Sequence, residues 1–235
     1  MAKFLQWNCR GYLANYEELT RLIDKHHPKV ICLQELMICN RKIGHPTDYQ
    51  PPLTSTNRGH NDRGGAAIII HKSVPYKKIP LTTNLHAVAA VVYLGSSSIT
   101  VCSVYLAPSC PYTEHDLFTL FQQLPPHVMI LGDFNLSHPA WGDTTCSPRA
   151  DWLLNNIDTF QLGCLNTGLP TYERLYAGTS SCIDVSLCSL NIVDRYEWSR
   201  SPFLHGSDHY PIFIQTLGPA LHGSSSPTWR YHRAN

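Results

Sequence analysis

Short apolar runs bounded by turn residues recur along the chain, and several alternate apolar and polar positions at period two. This pattern is typical of β-strands, because a strand turns every second side chain to the same face. It predicts strands over nine segments, namely 3–8, 29–34, 66–71, 87–94, 99–105, 128–132, 183–188, 192–198 and 210–217.

Apolar residues at helical spacing occur in three places between these strands. They predict helices over 15–26, 113–124 and 148–160, and the second opens with Thr113 and Asp116 in capping-box positions. Because the predicted helices are few and interspersed among the strands, the pattern indicates two packed sheets with helices on the outside, an α/β sandwich.

Composition narrows the class of protein. The 235 residues are 43% hydrophobic and 15% charged, which is enough to build a sizeable core. A formal net charge of +1 excludes the strongly basic signature of a protein that coats nucleic acid. It leaves open a local basic groove, because the distribution of charge matters more than its sum.

The cysteines and the apolar runs indicate a compartment. Nine cysteines, an odd number without a close CxxC pair, argue against a disulfide scaffold or a zinc ribbon and favour a reducing environment. The longest apolar run, 87–94, is too short to span a bilayer, and polar residues interrupt the N-terminus where a secretory signal would be apolar. We therefore expect a soluble intracellular protein without membrane partners.

A linker-like stretch, "GPALHGSSSP" at 218–227, is followed by "TWRYHRAN". The sequence thus predicts one domain over 1–217 and a linker or tail over 218–235 that leads toward a further domain.

Polar side chains stand where many of the apolar runs begin or end. Taken singly, each is more simply explained as a turn residue or a solvated surface group. Taken together, acids, amides and a histidine at corresponding strand ends are what a divalent-metal site for phosphate chemistry requires. The residues concerned are Asn8, Glu35, Tyr105, Asp133, Asn135, Asp184, Ser207, Asp208 and His209.

Five motifs in order, "QWNCRG", "CLQE", "GDFN", "CIDVSL" and "GSDHYPI", resemble those of the exonuclease–endonuclease–phosphatase superfamily. The resemblance covers residues 4 to about 215 and implies a DNase I-like, four-layer α/β-sandwich with two packed, mostly antiparallel sheets flanked by helices. Within this group, "WNCRG", "DRGGAAIII", "VYLAP" and "GDFNLSHPAWG" are most similar to the apurinic-like endonuclease domain of non-LTR retrotransposons. The tail resembles the segment that leads toward their reverse transcriptase.

The resemblance implies a magnesium site, in which Mn²⁺ can substitute. Glu35 is expected to be the principal ligand, with Asn8 beside it and Asp208 completing or flanking the site. Because Mg²⁺ usually keeps several waters, one or two carboxylates suffice. Which residue acts as general acid and which as base stays open.

The same resemblance implies roles in catalysis. Asp133 is expected to activate the attacking water, and Asn135 to position it and hold the phosphate. His209 is expected to donate a hydrogen bond to the scissile phosphate, with Asp184 orienting the imidazole. Tyr105 is similar to the family tyrosine at the phosphate or the leaving oxygen.

Further residues are expected to contact DNA, although packing or a solvated surface explains several of them equally well. A β-hairpin is predicted within 171–184, where the related nucleases carry a hairpin that helps to select the cut site; it would present Tyr172, Arg174 and Tyr176. The expected DNA contacts are Arg10, Arg63, His138, Trp141, Thr171, Arg174 and Ser207.

These features together predict a Mg²⁺-dependent endonuclease that nicks double-stranded DNA. For a retrotransposon, the resemblance implies that the 3′-hydroxyl primes reverse transcription, which places the protein in the nucleus. The first alternative is a phosphomonoesterase or phospholipid phosphodiesterase on the same fold, since the metal site is shared. The second is a non-catalytic binding module, against which the intact set of polar residues argues.

Overall fold

The computed structural model describes residues 1–38, 44–55, 64–108, 111–174 and 178–217, which form fourteen strands and three α-helices. The helices are α1 (Tyr16–His26), α2 (Glu114–Gln122) and α3 (Pro148–Asn156). The strands are β1 (Lys3–Asn8), β2 (Val30–Gln34), β3 (Leu53–Thr54), β4 (Ala66–Ile70), β5 (Tyr76–Ile79), β6 (His86–Leu94), β7 (Ser97–Tyr105), β8 (Val128–Asp133), β9 (Leu162–Cys164), β10 (Tyr172–Arg174), β11 (Thr179–Ser181), β12 (Asp184–Ser189), β13 (Tyr196–Arg200) and β14 (Ile212–Thr216).

Two six-stranded sheets make up the body of the fold. The first has the order β13-β14-β1-β2-β4-β3 and the second the order β5-β6-β7-β8-β12-β9. All pairs are antiparallel except β1–β2 in the first sheet and β7–β8 in the second. Because parallel strands end at the same edge, the two central pairs each deliver two strand ends to one side of their sheet.

The apolar residues separate into three layers of core. One lies between the sheets and includes Phe4 and Val30 of the first sheet and Val101 and Leu131 of the second. Another packs α1 on the outer face of the first sheet, and the third packs α2 and α3 on the outer face of the second. The predicted four-layer sandwich of mostly antiparallel sheets is confirmed.

The helices follow their predicted signals. Leu19, Leu22 and Ile23 of α1 are buried against the first sheet, as their spacing predicts. The hydroxyl oxygen of Thr113 accepts from the backbone N–H of Asp116, and the Asp116 carboxylate accepts from the backbone N–H of Thr113, so the predicted capping box is present. The third helix ends at Asn156, four residues before its predicted end.

The structure also corrects the strand predictions. Segment 192–198 was predicted as one strand, but Val193–Arg195 form a 3-10 turn and the strand begins at Tyr196. Strands β3, β5 and β9 were missed because they are two to four residues long and lie at or next to sheet edges. A strand that short carries too few positions for alternation to show.

Three further features concern the hairpin, the helices and the C-terminal segment. Strands β10 and β11 pair antiparallel, so the hairpin predicted within 171–184 is present. Within the described ranges, no helix is long and apolar enough to cross a membrane. The predicted linker and tail, 218–235, lies outside the described residues, and the domain boundary stays a prediction.

Candidate active site

The polar strand ends of both sheets meet at one edge of the layer between them. Asn8 ends β1 in the first sheet, while Tyr105 and Asp133 end the parallel strands β7 and β8 in the second. Asp133 is paired in register with Tyr105 on one side and with Asp184, the first residue of β12, on the other. Rigid, fully paired strands therefore hold these side chains.

A buried chain of hydrogen bonds joins the two sheets at this edge. His209 Nδ1 lies 2.8 Å from Asp184 Oδ2, and Asn8 Nδ2 donates to Asp133 Oδ2 over 2.9 Å. His209 Nε2 lies 3.9 Å from the same Asp133 oxygen and 3.4 Å from Asn8 Nδ2. Since a carboxylate only accepts, Nδ1 carries a proton toward Asp184, and Nε2 lies on the side of Asp133 and Asn8.

Burial and neighbouring charges shift the pKa values of Asp133 and His209 in this hydrogen-bonded network. Burial raises the pKa of Asp133, and Asp184 raises it further, whereas His209 and Asn8 oppose the shift. Burial by itself lowers the pKa of His209, but Asp184, Asp133 and Asp208 together raise it to about 9. The imidazole is therefore cationic at neutral pH and can donate from both nitrogens.

Glu35 reaches the same edge of the sheets, beside Tyr105, through an unusual backbone conformation. Strict alternation from Gln34 would turn its side chain toward the outer face and α1. Its φ of +51° breaks that alternation, and Tyr105 Oη donates to Glu35 Oε1 over 2.7 Å. Burial, and then the charge and hydrogen bond of Glu35, raise the pKa of Tyr105 well above its ordinary value, so the phenol stays protonated.

Asp208 and Arg10 form an ion pair at the rim. Arg10 Nη1 lies 3.5 Å from Asp208 Oδ2, and the two side chains are 51% and 21% exposed. The backbone N–H of Arg10 also donates to Asn8 Oδ1 over 3.1 Å. Arg10 is therefore exposed enough to contact a substrate, but Asp208 already neutralises part of its charge.

The donor set at this edge suits a hard cation. Within the described residues, Asp133, Asp184 and His209 form a buried group whose ligand atoms lie within 4.8 Å of one another. The predicted ligand Glu35 is hydrogen-bonded to Tyr105, the register partner of Asp133, and Asp208 directly precedes His209 in the chain. Oxygen donors in excess over nearby cationic groups fit Mg²⁺ or Mn²⁺ better than a thiophilic metal.

Asn135 is held rigidly beside Asp133. Its φ is +50°, its backbone N–H donates to Asp133 Oδ1 over 3.0 Å, and its Nδ2 donates to the carbonyl of Leu106 over 3.0 Å. This arrangement brings Asn135 to the site, as predicted.

Two residues predicted to contact DNA are buried instead. Thr171 is 0% exposed, and its hydroxyl accepts from the backbone N–H groups of Ile183 and Asp184 at 3.2 and 3.1 Å. Ser207 is 4% exposed, donates to the carbonyl of Asn8 over 2.7 Å and accepts from the N–H of His209. Both hold site residues in place through these bonds, and their contact with DNA stays a prediction.

His138 and Trp141 shape the loop after β8. Trp141 is 0% exposed and donates its indole N–H to the carbonyl of Leu136 over 2.9 Å. His138 Nδ1 accepts from the N–H of Ala140, and its Nε2 lies 3.2 Å from Asp151 Oδ1. Burial of the tryptophan stabilises this loop, and the contact of the two residues with DNA stays a prediction.

The hairpin packs directly on the segment that carries His209. The N–H of Glu173 donates to the carbonyl of Asp208 over 2.8 Å, and the Tyr172 ring lies 4.7 Å from the His209 ring. Arg174, at the end of β10, is exposed. Arg63 is predicted to contact DNA, and Tyr176 is predicted to lie in the hairpin. Both are outside the described residues.

Sequence reasoning missed a layer of polar side chains beneath the site. Gln6 Nε2 donates to the carbonyl of Gly132 over 3.0 Å, and Gln34 Nε2 donates to Ser103 Oγ over 3.0 Å. Both glutamines are 0% exposed. The signal was available for Gln6, because alternation along β1 places it on the same face as Asn8.

Comparisons with known proteins agree with this architecture. A family model described as endonuclease-reverse transcriptase matches residues 99–213. The RNA-directed DNA polymerase from mobile element jockey of Drosophila melanogaster is 30% identical over 212 residues, which are 88% of this chain and 23% of that protein. The probable RNA-directed DNA polymerase from transposon BS of the same fly is 23% identical over 96% of this chain and 25% of that protein.

Solved structures agree on the fold. The endonuclease domain of TRAS1, a telomere-specific non-LTR retrotransposon, superposes with a TM-score of 0.75 at 23% identity over 92% of this chain and 98% of that one. The AP endonuclease LMAP from Leishmania major gives 0.74 at 14% identity over 93% of this chain and 88% of that one.

The chain therefore shares the fold of the TRAS1 endonuclease domain and of AP endonucleases. Its sequence is similar to the endonuclease-reverse transcriptase family over residues 99–213 and to the RNA-directed DNA polymerases of mobile elements, the similarity that its motifs predict. It spans less than a quarter of the length of the jockey protein.

Proposed function

We propose that this domain is a Mg²⁺-dependent endonuclease that nicks double-stranded DNA and leaves a 3′-hydroxyl and a 5′-phosphate. The observation that supports it best is the buried Asp184–His209 pair, which stands 3.9 Å from Asp133 at a mouth rimmed by Glu35 and Asp208. A carboxylate, a cationic imidazole and an oxygen-rich rim are the groups that phosphodiester hydrolysis needs.

We assign metal binding to Glu35, with Asn8 and Asp208 beside it. When bound, Mg²⁺ or Mn²⁺ supplies positive charge to the phosphate oxygens and the leaving oxygen. Tyr105 holds Glu35 through its hydroxyl, which fixes the carboxylate against rotation. Neighbours of this kind orient metal ligands in many sites.

We assign proton transfer and phosphate binding to the buried chain. Asp133 takes a proton from the attacking water, and Asn135 holds that water or a phosphate oxygen. The water oxygen bonds to phosphorus, the bond from phosphorus to the 3′-oxygen breaks, and the departing 3′-oxygen takes a proton from solvent to become the hydroxyl. His209 donates from Nε2 to the phosphate as its charge grows, while Asp184 holds Nδ1.

We propose that double-stranded DNA is the partner and that the exposed hairpin residue Arg174 and the rim residue Arg10 contact its backbone. The relatives named above are RNA-directed DNA polymerases, which supports a longer polypeptide carrying reverse transcriptase. In that setting the 3′-hydroxyl would prime reverse transcription of a non-LTR element, and the domain would act in the nucleus.

The alternative is a phosphomonoesterase or phospholipid phosphodiesterase built on the same site. Supercoiled plasmid, a phosphomonoester and a phospholipid are incubated with the protein in Mg²⁺ and in chelator. We expect relaxation of the plasmid in Mg²⁺ only, with the Glu35→Gln variant inactive. Turnover of a phosphomonoester or phospholipid with intact plasmid would support the alternative, and full nicking in chelator would refute the metal role.

A further inference from the structure

The proposed site is divided between two sheets that are not joined edge to edge. Asn8 and Glu35 come from the first sheet, whereas Tyr105, Asp133 and Asp184 come from the second. The layer between the sheets is mainly apolar, and apolar burial is non-directional. Apolar contacts therefore fix the distance between the two sheets firmly. They fix the offset of one sheet relative to the other, along the strands, less firmly.

Two buried glutamines cross this layer beside the site. Gln6 stands two residues before Asn8, and its Nε2 donates to the carbonyl of Gly132, the residue before Asp133. Its Oε1 accepts from Ser186 Oγ over 2.7 Å, and Ser186 stands two residues after Asp184. One side chain of the first sheet is thus bonded to both strands that carry the two aspartates.

The second glutamine makes the matching connection on the neighbouring strands. Gln34 directly precedes Glu35, and its Nε2 donates to Ser103 Oγ, two residues before Tyr105. Ser103 Oγ in turn donates back across the layer to the carbonyl of Leu33 over 3.1 Å. Glu35 and Tyr105 are hydrogen-bonded to each other. The bonds of Ser103 to Gln34 and Leu33 therefore make a second connection between the same two strands, within two residues of the first.

Gln34 lowers the stability of the fold, so stability alone does not account for a glutamine at this position. Gln34 Oε1 is buried and, within the described part of the chain, has no hydrogen-bond partner. A buried, unpaired carbonyl destabilises the fold, and an apolar side chain of the same length would avoid the penalty. A directional bond of fixed length is what the glutamine adds.

We propose that Gln6 and Gln34 are positioning residues that set the offset of the two sheets, and thereby the distance from the Glu35 side of the site to Asp133 and Asp184. The inference rests on the proposed nuclease function. Reacting groups must be held within about 0.5 Å, and a misplacement of about 1 Å can cost about 100-fold in rate.

The test measures nicking and folding in Gln34→Met, which keeps the length and removes the amide. We expect the free energy of unfolding to stay equal or rise, because the unpaired carbonyl is gone. The kcat for nicking should fall between about 10- and 100-fold. The Kd for duplex DNA in chelator should not change, since Gln34 is 0% exposed.

A double-mutant cycle separates positioning from general loosening of the core. Ser103→Ala breaks the same bond from the other side, so the losses of kcat in Gln34→Met and Ser103→Ala should not add in the double variant. Ser189→Ala is the matched control. Ser189 is also buried and bonds the N–H of Val128 at the start of β8, at the end of that strand opposite Asp133. It should leave kcat unchanged.

Wild-type kcat in a folded Gln34→Met variant, or fully additive losses in the cycle, would overturn the positioning role. Should Gln34→Met not fold, Ser103→Ala and Gln6→Met give the same comparison of kcat with Kd. Failure of the wild-type protein to nick DNA in Mg²⁺ would refute the proposed function instead, so the two failures are distinguishable.

Discussion

Asp184→Asn tests how the buried ion pair acts on His209. The substitution keeps the shape of the side chain and removes the charge that lies 2.8 Å from Nδ1. In the wild type, burial lowers the pKa of His209, and Asp184 is the largest of the charges that together raise it to about 9. Without Asp184, the burial penalty remains, and we expect the pKa to fall to about its ordinary value of 6.5 or lower.

This shift predicts a loss of activity that depends on pH. At pH 8 about 90% of wild-type His209 is protonated, against about 3% with a pKa of about 6.5, so the protonation deficit alone is about 30-fold. At pH 6 about 75% of the variant imidazole is protonated, and the deficit shrinks to about 1.3-fold. Loss of orientation adds a further factor, which does not vary with pH.

Plasmid nicking by wild type and variant is measured at saturating Mg²⁺ from pH 6 to pH 9. The ratio of the two rates cancels any effect of pH on the DNA. The ratio of the wild-type rate to the variant rate should rise from about 1.3 at pH 6 to about 30 at pH 8, multiplied at every pH by the constant factor for orientation. Asp24→Asn, at an exposed position on α1, is the control. A ratio that is constant with pH, or larger at pH 6, would refute the proposed role of the imidazolium.

Three further predictions follow from other contacts. Tyr105→Phe removes the hydroxyl that holds Glu35, so half-maximal nicking should need about 10- to 100-fold more Mg²⁺; an unchanged midpoint would contradict the assignment of Glu35. Thr171→Val leaves two buried N–H groups unpaired and should lower the free energy of unfolding by about 2–4 kcal/mol. Thr171→Ser keeps the hydroxyl and should retain most of the wild-type stability. Equal stabilities of the two variants in denaturant unfolding would contradict this role. Brief alkylation of native protein should modify exposed Cys146 before the buried described thiols, and denaturation without reductant should expose all nine cysteines; a protected pair would show a disulfide.

The positions of the site residues could be predicted from sequence because each ends or begins an apolar run. Asn8, Asp133 and Asp184 follow this pattern, and strand pairing then brings them to one edge. Glu35 was identified as well, but its left-handed backbone, which turns it toward Tyr105, has no signal in the sequence. Backbone conformation of this kind is set by tertiary contacts.

Burial is the part of the site's surroundings that the sequence does not predict. Thr171, Ser207 and Trp141 are expected to contact DNA, and the structure places all three in the interior. Each satisfies buried backbone groups next to a proposed site residue or in a loop. Hydroxyl and indole groups serve either role, and only the three-dimensional arrangement decides which backbone groups need a partner.

The central claim is that the domain cleaves DNA to a 3′-hydroxyl and a 5′-phosphate, and resealing by DNA ligase tests it most directly. Supercoiled plasmid is nicked in Mg²⁺, the protein is removed, and ligase is added. Ligase joins only those two ends, so the account predicts that nicked circles are closed again, with none formed by His209→Ala. Nicks that ligase cannot close until a phosphatase and a kinase have exchanged their ends would contradict it.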